Sequence, residues 1–176
     1  SFVFEKETDT EDIWGTVTKT HEPLKQDAPI KDTILSFVGE YDQVPPMYSA
    51  KKIDGKKLYQ LAREGKIVER KAVPVTLKDI QVLSVKDNKA RFIVTCSAGT
   101  YIRTLCVDIG KKLGCEACMS SLTRVMAGGF LKEQALTLEK IKELADKNEL
   151  ESRLISIDTA LGHFPKVIAS NEFEKQ

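Results

Sequence analysis

The sequence is poor in the residues that most often carry metal and covalent chemistry. It has two histidines, His21 and His163, far apart and in no shared pattern, and four cysteines, Cys96, Cys106, Cys115 and Cys118. Structural zinc takes four ligands, as two C-x-x-C pairs or as one pair with histidines. The single C-x-x-C at Cys115 and Cys118 has no such complement, so reduced, packed thiols are expected there. No Gly-rich phosphate loop, G-x-S-x-G elbow or H-E-x-x-H helix occurs, which leaves nucleotide hydrolysis, triad hydrolysis and zinc proteolysis without support. No apolar run approaches the roughly 20 residues that span a bilayer, and no signal-peptide pattern opens the chain. So few cysteines suit a reducing cytoplasm.

Net charge is nearly absent too. Lys and Arg number 27 against 26 Asp and Glu, a formal +1. The distribution, however, is uneven. Residues 1–43 carry Lys6, Lys19, Lys25 and Lys31 against ten acids. Residues 51–71, KKIDGKKLYQLAREGKIVERK, carry eight Lys or Arg against Asp54, Glu64 and Glu69. Such a run is either a solvated helix face or the electrostatic footprint of a polyanion. With 176 residues, 41% hydrophobic and 30% charged, the chain suffices for one sizeable domain, or for one domain and a fragment of another.

Local patterns set the elements. Ile30, Ile34, Leu35 and Val38 recur at helical spacing and the stretch stops at Gly39, which predicts a short helix with a C-terminal glycine. Pro45 and Pro46 force an extended path that places Met47, Tyr48 and Ser49 on an ordered loop or edge segment. A second short helix is expected between Gly55 and Gly65, with Leu58, Leu61 and Ala62 on one side. VPVTLKDIQVLSV and KARFIVTCS are β-rich runs joined near Asp87-Asn88, a hairpin signal. After Arg103, Leu105, Ile109 and Leu113 recur every fourth residue as the apolar stripe of a helix. CMSSLTRVMAGGF reads as loop and strand broken at Gly128-Gly129. TLEKIKELADKNEL predicts an amphipathic helix with Thr137 as N-cap and Leu138, Ile141, Leu144 and Ala145 facing inward.

The chemistry concentrates in CSAGTYIRTLCVDIGKKLGC, residues 96–115, where a strand pattern gives way to a helix pattern. Gly99 permits a backbone bend that a side chain would obstruct. Tyr101 supplies a flat face and a hydroxyl, and Arg103 a fixed cation that pairs with carboxylate or phosphate in two-point geometry. Taken alone, the junction is better explained by a strand–helix corner with a buried, hydrogen-bonded Tyr and a surface Arg.

Distant segments decide between these readings, because together they resemble one family. TDTEDIWG (Thr8 to Gly15) is similar to a T-D-T-x-D-x-x-G segment. QVPPMYSAKKIDGKKLYQLAREG (Gln43 to Gly65) is close to a full match to a Q-x-P-P-x-Y-S-A-x-K-x-x-G-x-x-x-Y-x-x-A-R-x-G stretch. CSAGTYIRTLCVDIGKKLGC matches a C-S-x-G-T-Y-I-R-T-L block, and LTRVMAGGF (Leu122 to Phe130) resembles an L-x-R-x-x-x-G-x-F ending. In this order and over roughly residues 8–165, they resemble the bacterial tRNA pseudouridine-55 synthases, the TruB family. The resemblance implies isomerisation of one T-loop uridine of tRNA to pseudouridine, with the base taken out of its stack and attacked by an aspartate. It implies no metal or organic cofactor. It makes Tyr101 the tyrosine beside the uracil, implicated in proton transfer, Arg103 the ion-pair partner of the nucleophilic aspartate, and Leu122 an apolar residue packing by the base. It also makes residues 51–71 an RNA-gripping flap. There Lys51, Lys52, Lys56, Lys57, Arg63, Lys66, Arg70 and Lys71 are phosphate contacts, and Tyr59 packs the flap helix to the domain.

The chain departs from the family where the nucleophile should be. The G-x-L-D-P-x-A-x-G segment is absent, and Asp9 and Asp12 belong to a different motif of the family. The expectation is therefore a fragment whose catalytic aspartate lies upstream, inactive alone, with Arg103 lacking its carboxylate partner and costing little stability when removed. A relative that only binds structured RNA is the alternative. The expected fold is α/β, with a mixed, mostly antiparallel sheet flanked by helices, the pseudouridine synthase fold incomplete at its N-terminus. Residues 1–152 would be the C-terminal portion of the catalytic domain and 153–176 the start of a truncated module. The expected partner is the T-arm stem-loop of tRNA, read mainly by shape, with no membrane and no small-molecule cofactor, for a monomer.

Overall fold

Phe2 and Phe4 point to one side of their strand and are buried, while Val3 between them is half-buried. This period-two burial is what a strand with one face on a core dictates. The structure is a computed structural model and describes residues 1–22, 24, 25, 28–162, 164 and 165. It divides into two compact units, Ser1–Leu122 and Thr123–Gln176.

The first unit runs β1 (Phe2–Phe4), β2 (Lys6–Thr8), β3 (Val17–Thr20), α1 (Ile30–Leu35), β4 (Gly39–Gln43), β5 (Lys52–Ile53), β6 (Lys56–Lys57), α2 (Leu58–Arg63), β7 (Val73–Lys86), β8 (Lys89–Cys96), α3 (Ile102–Leu113) and β9 (Ala117–Met119). Five strands form one sheet in the order β4-β7-β8-β1-β9, and each neighbouring pair is antiparallel. The expected α/β architecture is therefore present. The long β7–β8 hairpin turns at Asp87 and Asn88, whose φ of 49° and 56° are the two positive values a two-residue primed turn needs.

The stripe on α3 behaves as its spacing dictates. Leu105 and Ile109 are fully buried and Leu113 is half-buried, packed with Phe2, Phe4, Ile34, Leu77, Ile80, Ala90 and Ala117. Cys106 and Cys115 join this core, and all four cysteines are free thiols. Burial in apolar surroundings pushes the Cys106 thiol up to about 12 and Cys115 up to about 11, the inert state of packed thiols. Gly39 does not end a helix as its position suggested. α1 stops at Leu35, where Ser36 Oγ donates to Thr33 O at 2.7 Å, and Gly39, at φ 114°, opens β4 instead.

The second unit begins with a hairpin, β10 (Met126–Ala127) and β11 (Phe130–Leu131), turning at Gly128-Gly129. It continues with α4 (Leu138–Asp146) and α5 (Ile157–Ala160). Thr137 Oγ1 accepts from Lys140 N at 3.2 Å, the expected cap. The expected inward face is corrected: Leu144 is 4% exposed, but Leu138 is 81% exposed and Ile141 and Ala145 are also open. Two-residue strands and short helices offer little apolar surface to cover more than one side chain of α4. The boundary expected at 152/153 falls inside this unit. His163 and residues 166–176 lie outside the described residues.

Helix α3 approaches β9 through Gly110, where a Cβ would stand 2.6 Å from Ala117 Cβ and 3.0 Å from Cys115 O. Gly110→Ala is expected to cost about 1–3 kcal/mol by overpacking, read as a drop in urea midpoint at unchanged m-value. An unchanged midpoint would show that the helix can slide away from the strand.

Candidate active site

Segment Thr8–Gly15, leading from the end of β2 toward β3, is an acidic turn tied to itself by several hydrogen bonds. Thr8 Oγ1 donates to Asp12 O at 2.6 Å, Thr10 Oγ1 to Asp12 Oδ1 at 2.9 Å, and Trp14 N to the same Oδ1 at 3.1 Å. Asp9 Oδ1 accepts from Thr16 N at 2.8 Å. A Cβ at Gly15 would overlap Thr10 Oγ1 and Asp9 Oδ1, so the turn closes only around a glycine. The turn is joined to the sheet by Ile13 N to Met119 O at 2.9 Å and Met119 N to Glu11 O at 3.0 Å.

Arg103, on the first turn of α3, reaches this loop. Its Nη1 donates to Thr10 O at 2.7 Å and its Nη2 to Tyr48 O at 2.7 Å, and Nη1 lies 3.7 Å from Asp12 Oδ2. The expectation of an arginine without a carboxylate partner, removable at little cost in stability, is thus corrected. Two backbone carbonyls hold the guanidinium and an aspartate from the T-D-T segment flanks it. Asp12 itself is held by Thr10 and Trp14, so its geometry is that of an orienting carboxylate.

The strand–helix junction is held from the side by Gln43, at the end of β4. This side chain is 1% exposed. Its Oε1 accepts from Tyr101 N at 2.7 Å, and its Nε2 donates to Tyr101 O at 3.1 Å and to the Tyr41 hydroxyl. Both backbone groups of Tyr101 are thereby satisfied across 58 residues of sequence, and Gly99, at φ 84°, makes the bend before them. The Tyr101 ring is half-buried, and among the described residues its hydroxyl has no hydrogen-bond partner. The junction therefore fixes the backbone of Tyr101 and leaves its phenol available. Tyr41, behind Gln43, titrates well above the usual tyrosine range because it is buried and because Asp108 lies near.

Behind Arg103, Thr104 Oγ1 donates to Glu11 Oε2 at 2.6 Å. Glu11 titrates above the ordinary carboxylate range because burial disfavours its charge, an effect that the Thr104 hydrogen bond and Arg103 only partly offset. Glu11 and Thr104 line a cavity of about 320 Å³ with Tyr41, Arg70 and Asp108. Gln43, Glu11 and Thr104 did not stand out in the sequence as site residues. The signal for Gln43 was its place at the head of the Q-x-P-P block.

The remaining expected residues divide. Lys52, Lys56, Arg63, Lys66 and Lys71 are exposed, and Lys51 and Lys57 half-buried, around the β5–β6 hairpin and α2. Lys66 is paired with Glu64 at 2.8 Å. Arg70 differs from its expected surface role. It turns inward, its Nη1 donating to Pro45 O at 3.2 Å and its Nε buried without a partner. Tyr59 stacks under two cations, with Arg63 Cζ at 5.4 Å and Lys57 Nζ at 5.7 Å from its ring centre. Leu122 is 57% exposed at the edge of the first unit.

Because the folded-state value of Glu11 is raised, its ionisation opposes folding. The penalty is absent below the ordinary carboxylate value, where stability is full, and stability is lost as pH rises through the raised one. Glu11→Gln keeps an acceptor for Thr104 without the charge. The variant should match the parent's thermal midpoint in acid and exceed it near neutrality. Equal midpoints at both pH values would mean that Glu11 is not desolvated.

Residues 1–102 match the family model described as TruB family pseudouridylate synthase (N terminal domain), and residues 103–162 that of the tRNA pseudouridylate synthase B C-terminal domain. The chain is 44% identical over 170 residues to tRNA pseudouridine synthase B of Alkaliphilus oremlandii, covering 97% of this chain and 56% of that protein. It is 43% identical over 176 residues to the protein of the same name from Bacillus licheniformis, covering 96% of this chain and 57% of that one. The chain spans about half the length of the curated relatives it matches. Among solved structures it is similar to the crystal structure of a Cbf5-Nop10-Gar1 complex, with a TM-score of 0.63 and 26% identity over 94% of this chain and 44% of that one. With a family model matching more than half of its residues, the chain belongs to the TruB family of pseudouridylate synthases.

Proposed function

We propose that this chain is part of an enzyme that isomerises a uridine in the T-loop of tRNA, at position 55, to pseudouridine. The observation that carries the reading is the pair formed by the Tyr101 phenol, unpartnered among the described residues and on backbone fixed by Gln43, and the cradled guanidinium of Arg103. The reaction breaks the bond from the sugar to N1 of the base and makes one to C5. N1 gains a proton and C5 loses one, so it is an isomerisation that needs proton handling and charge placement alone. Tyr101 offers the phenol, and Arg103 orients and keeps ionised the attacking carboxylate that the family resemblance implies. Leu122 offers an exposed apolar face for the base. The 40–45% identical relatives named tRNA pseudouridine synthase B support tRNA as the substrate.

The T-arm is the proposed docking element and residues 51–71 the flap that grips it, with Lys51, Lys52, Lys56, Lys57, Arg63, Lys66 and Lys71 on phosphates. Arg70 would act by holding the Pro45 segment that leads to Tyr48. The protein is proposed to work as a monomer in the cytoplasm, consistent with four free thiols.

The deciding assay is tritium release from tRNA labelled at C5 of uridine, run with the full-length enzyme. Arg103→Ala should lower turnover about 100- to 1000-fold with tRNA affinity nearly unchanged, and Arg103→Lys should rescue poorly because an ammonium cannot reach Thr10 O and Tyr48 O together. Parental turnover in Arg103→Ala would sink the catalytic assignment. No release by the parent with tRNA still bound would leave an RNA-binding protein only.

The flap is tested through salt. Log affinity should fall with log salt at a slope of about 0.7 to 0.9 per neutralised phosphate. Lys56→Ala with Lys57→Ala should flatten that slope without changing which stem-loop is preferred. A salt-independent affinity would mean these lysines only solvate the hairpin.

A further inference from the structure

Trp14 is the one tryptophan of the sequence and, at 86% relative exposure, the most open large apolar side chain among the described residues. Leaving an indole in water is unfavourable, and a chain that needs solubility alone has no use for one. Its backbone is nevertheless held on both sides by hydrogen bonds. Trp14 N donates to Asp12 Oδ1 at 3.1 Å, Ile13 N before it to Met119 O at 2.9 Å, and Gly15 N after it to Asp12 O at 3.2 Å. Among the described residues no ring or cation stacks on the indole, in contrast to Tyr59, which lies under Lys57 and Arg63. The same turn supplies Thr10 O and Asp12 to Arg103, so the indole is displayed two residues from the carboxylate beside the site arginine.

We propose that Trp14 is a stacking platform for an unpaired RNA base at the rim of the Arg103 site. The proposal rests on the reading of a structured RNA as substrate. Removing a base from a folded RNA leaves its neighbours without a stacking partner, and an indole held on a rigid turn supplies one at little entropic cost. The surroundings favour a base over a phosphate. Asp9 and Asp12 put carboxylates on the turn that repel the RNA backbone, whereas a base presents a neutral π-face. Phosphate contacts fall instead to the basic flap at residues 51–71, which carries eight Lys and Arg and whose aromatic, Tyr59, is already covered by Lys57 and Arg63.

The experiment titrates the 176-residue chain with a fluorophore-labelled T-arm stem-loop RNA, following label anisotropy and Trp14 emission together; with one tryptophan in these 176 residues the emission reports this position alone. Saturable quenching of Trp14 that tracks the anisotropy is expected. Trp14→Ala should bind roughly 10-fold more weakly, and Trp14→Phe within about threefold of the parent. The salt slope should be the same in all three, since stacking releases no counterions. Replacing the stacked nucleotide by an abasic one should weaken the parent and leave Trp14→Ala unaffected, which identifies the base. The thermal midpoint of Trp14→Ala should equal the parent's, and a marked loss would make Trp14 structural and overturn the proposal. RNA that binds by anisotropy with unchanged Trp14 emission and unchanged Trp14→Ala affinity overturns stacking and leaves the RNA reading standing. No binding by anisotropy overturns both.

Discussion

The guanidinium of Arg103 is where the first unit comes together. Its two long hydrogen-bonding reaches, to Thr10 O and Tyr48 O, span 93 and 55 residues of sequence and draw the acidic turn, the Pro-Pro segment and the start of α3 onto one cation. Pro45 and Pro46 are buried, so apolar packing seats the Pro-Pro segment, but the directional bonds to the guanidinium set how the turn, the loop and α3 meet. A planar five-donor group presents two separate nitrogens in a fixed fork to carbonyls on either side, a geometry that a single ammonium nitrogen does not reproduce. Gln43 repeats the device at Tyr101, with an amide that donates and accepts across the backbone of that residue. Polar bonds between distant segments, laid over a core made by Phe2, Leu77, Leu105 and Ile109, give the site a geometry set before any ligand arrives.

Much of the fold was legible. The β7–β8 hairpin announced itself by β-rich runs around Asp87-Asn88, and both residues have the left-handed conformation that pair suggests. The period of four after Arg103 became the buried stripe of α3. Failures came where tertiary context decides. Gly39 read as a helix stop because glycine ends helices, but its φ of 114° serves the entry to a strand. Leu138 and Ile141 have the right spacing for burial, yet the small elements of their own unit do not cover them.

The site was legible by residue type and not by partner. Tyr101 and Arg103 stand out at a strand–helix change, and the structure places them on fixed backbone. That Asp12 would flank Arg103 had no local signal, since the pairing crosses 91 residues and depends on how the turn folds against β9. Glu11 looked like one acid among ten. Its burial and its bond to Thr104 arise from docking the turn on α3, which no short pattern encodes. Arg70 likewise counted as one of eight basic residues until Pro45 O claimed its guanidinium.

Charge compensation at Arg103 carries the functional consequence. The two carbonyls that hold it are neutral, and Asp12 at 3.7 Å is already engaged by Thr10 and Trp14. A guanidinium has five N–H donors and two are used here, so a half-buried cation remains with donors unspent and its charge only loosely met. A partly desolvated cation in that state is stabilised by a second anion, and an anion placed there is held ionised and aligned in turn. A guanidinium cradled by carbonyls alone keeps this demand, whereas one locked in a tight two-point pair with Asp12 would have satisfied it internally. The loose pairing is therefore what makes Arg103 able to orient a second carboxylate instead of serving only as the joint between three segments.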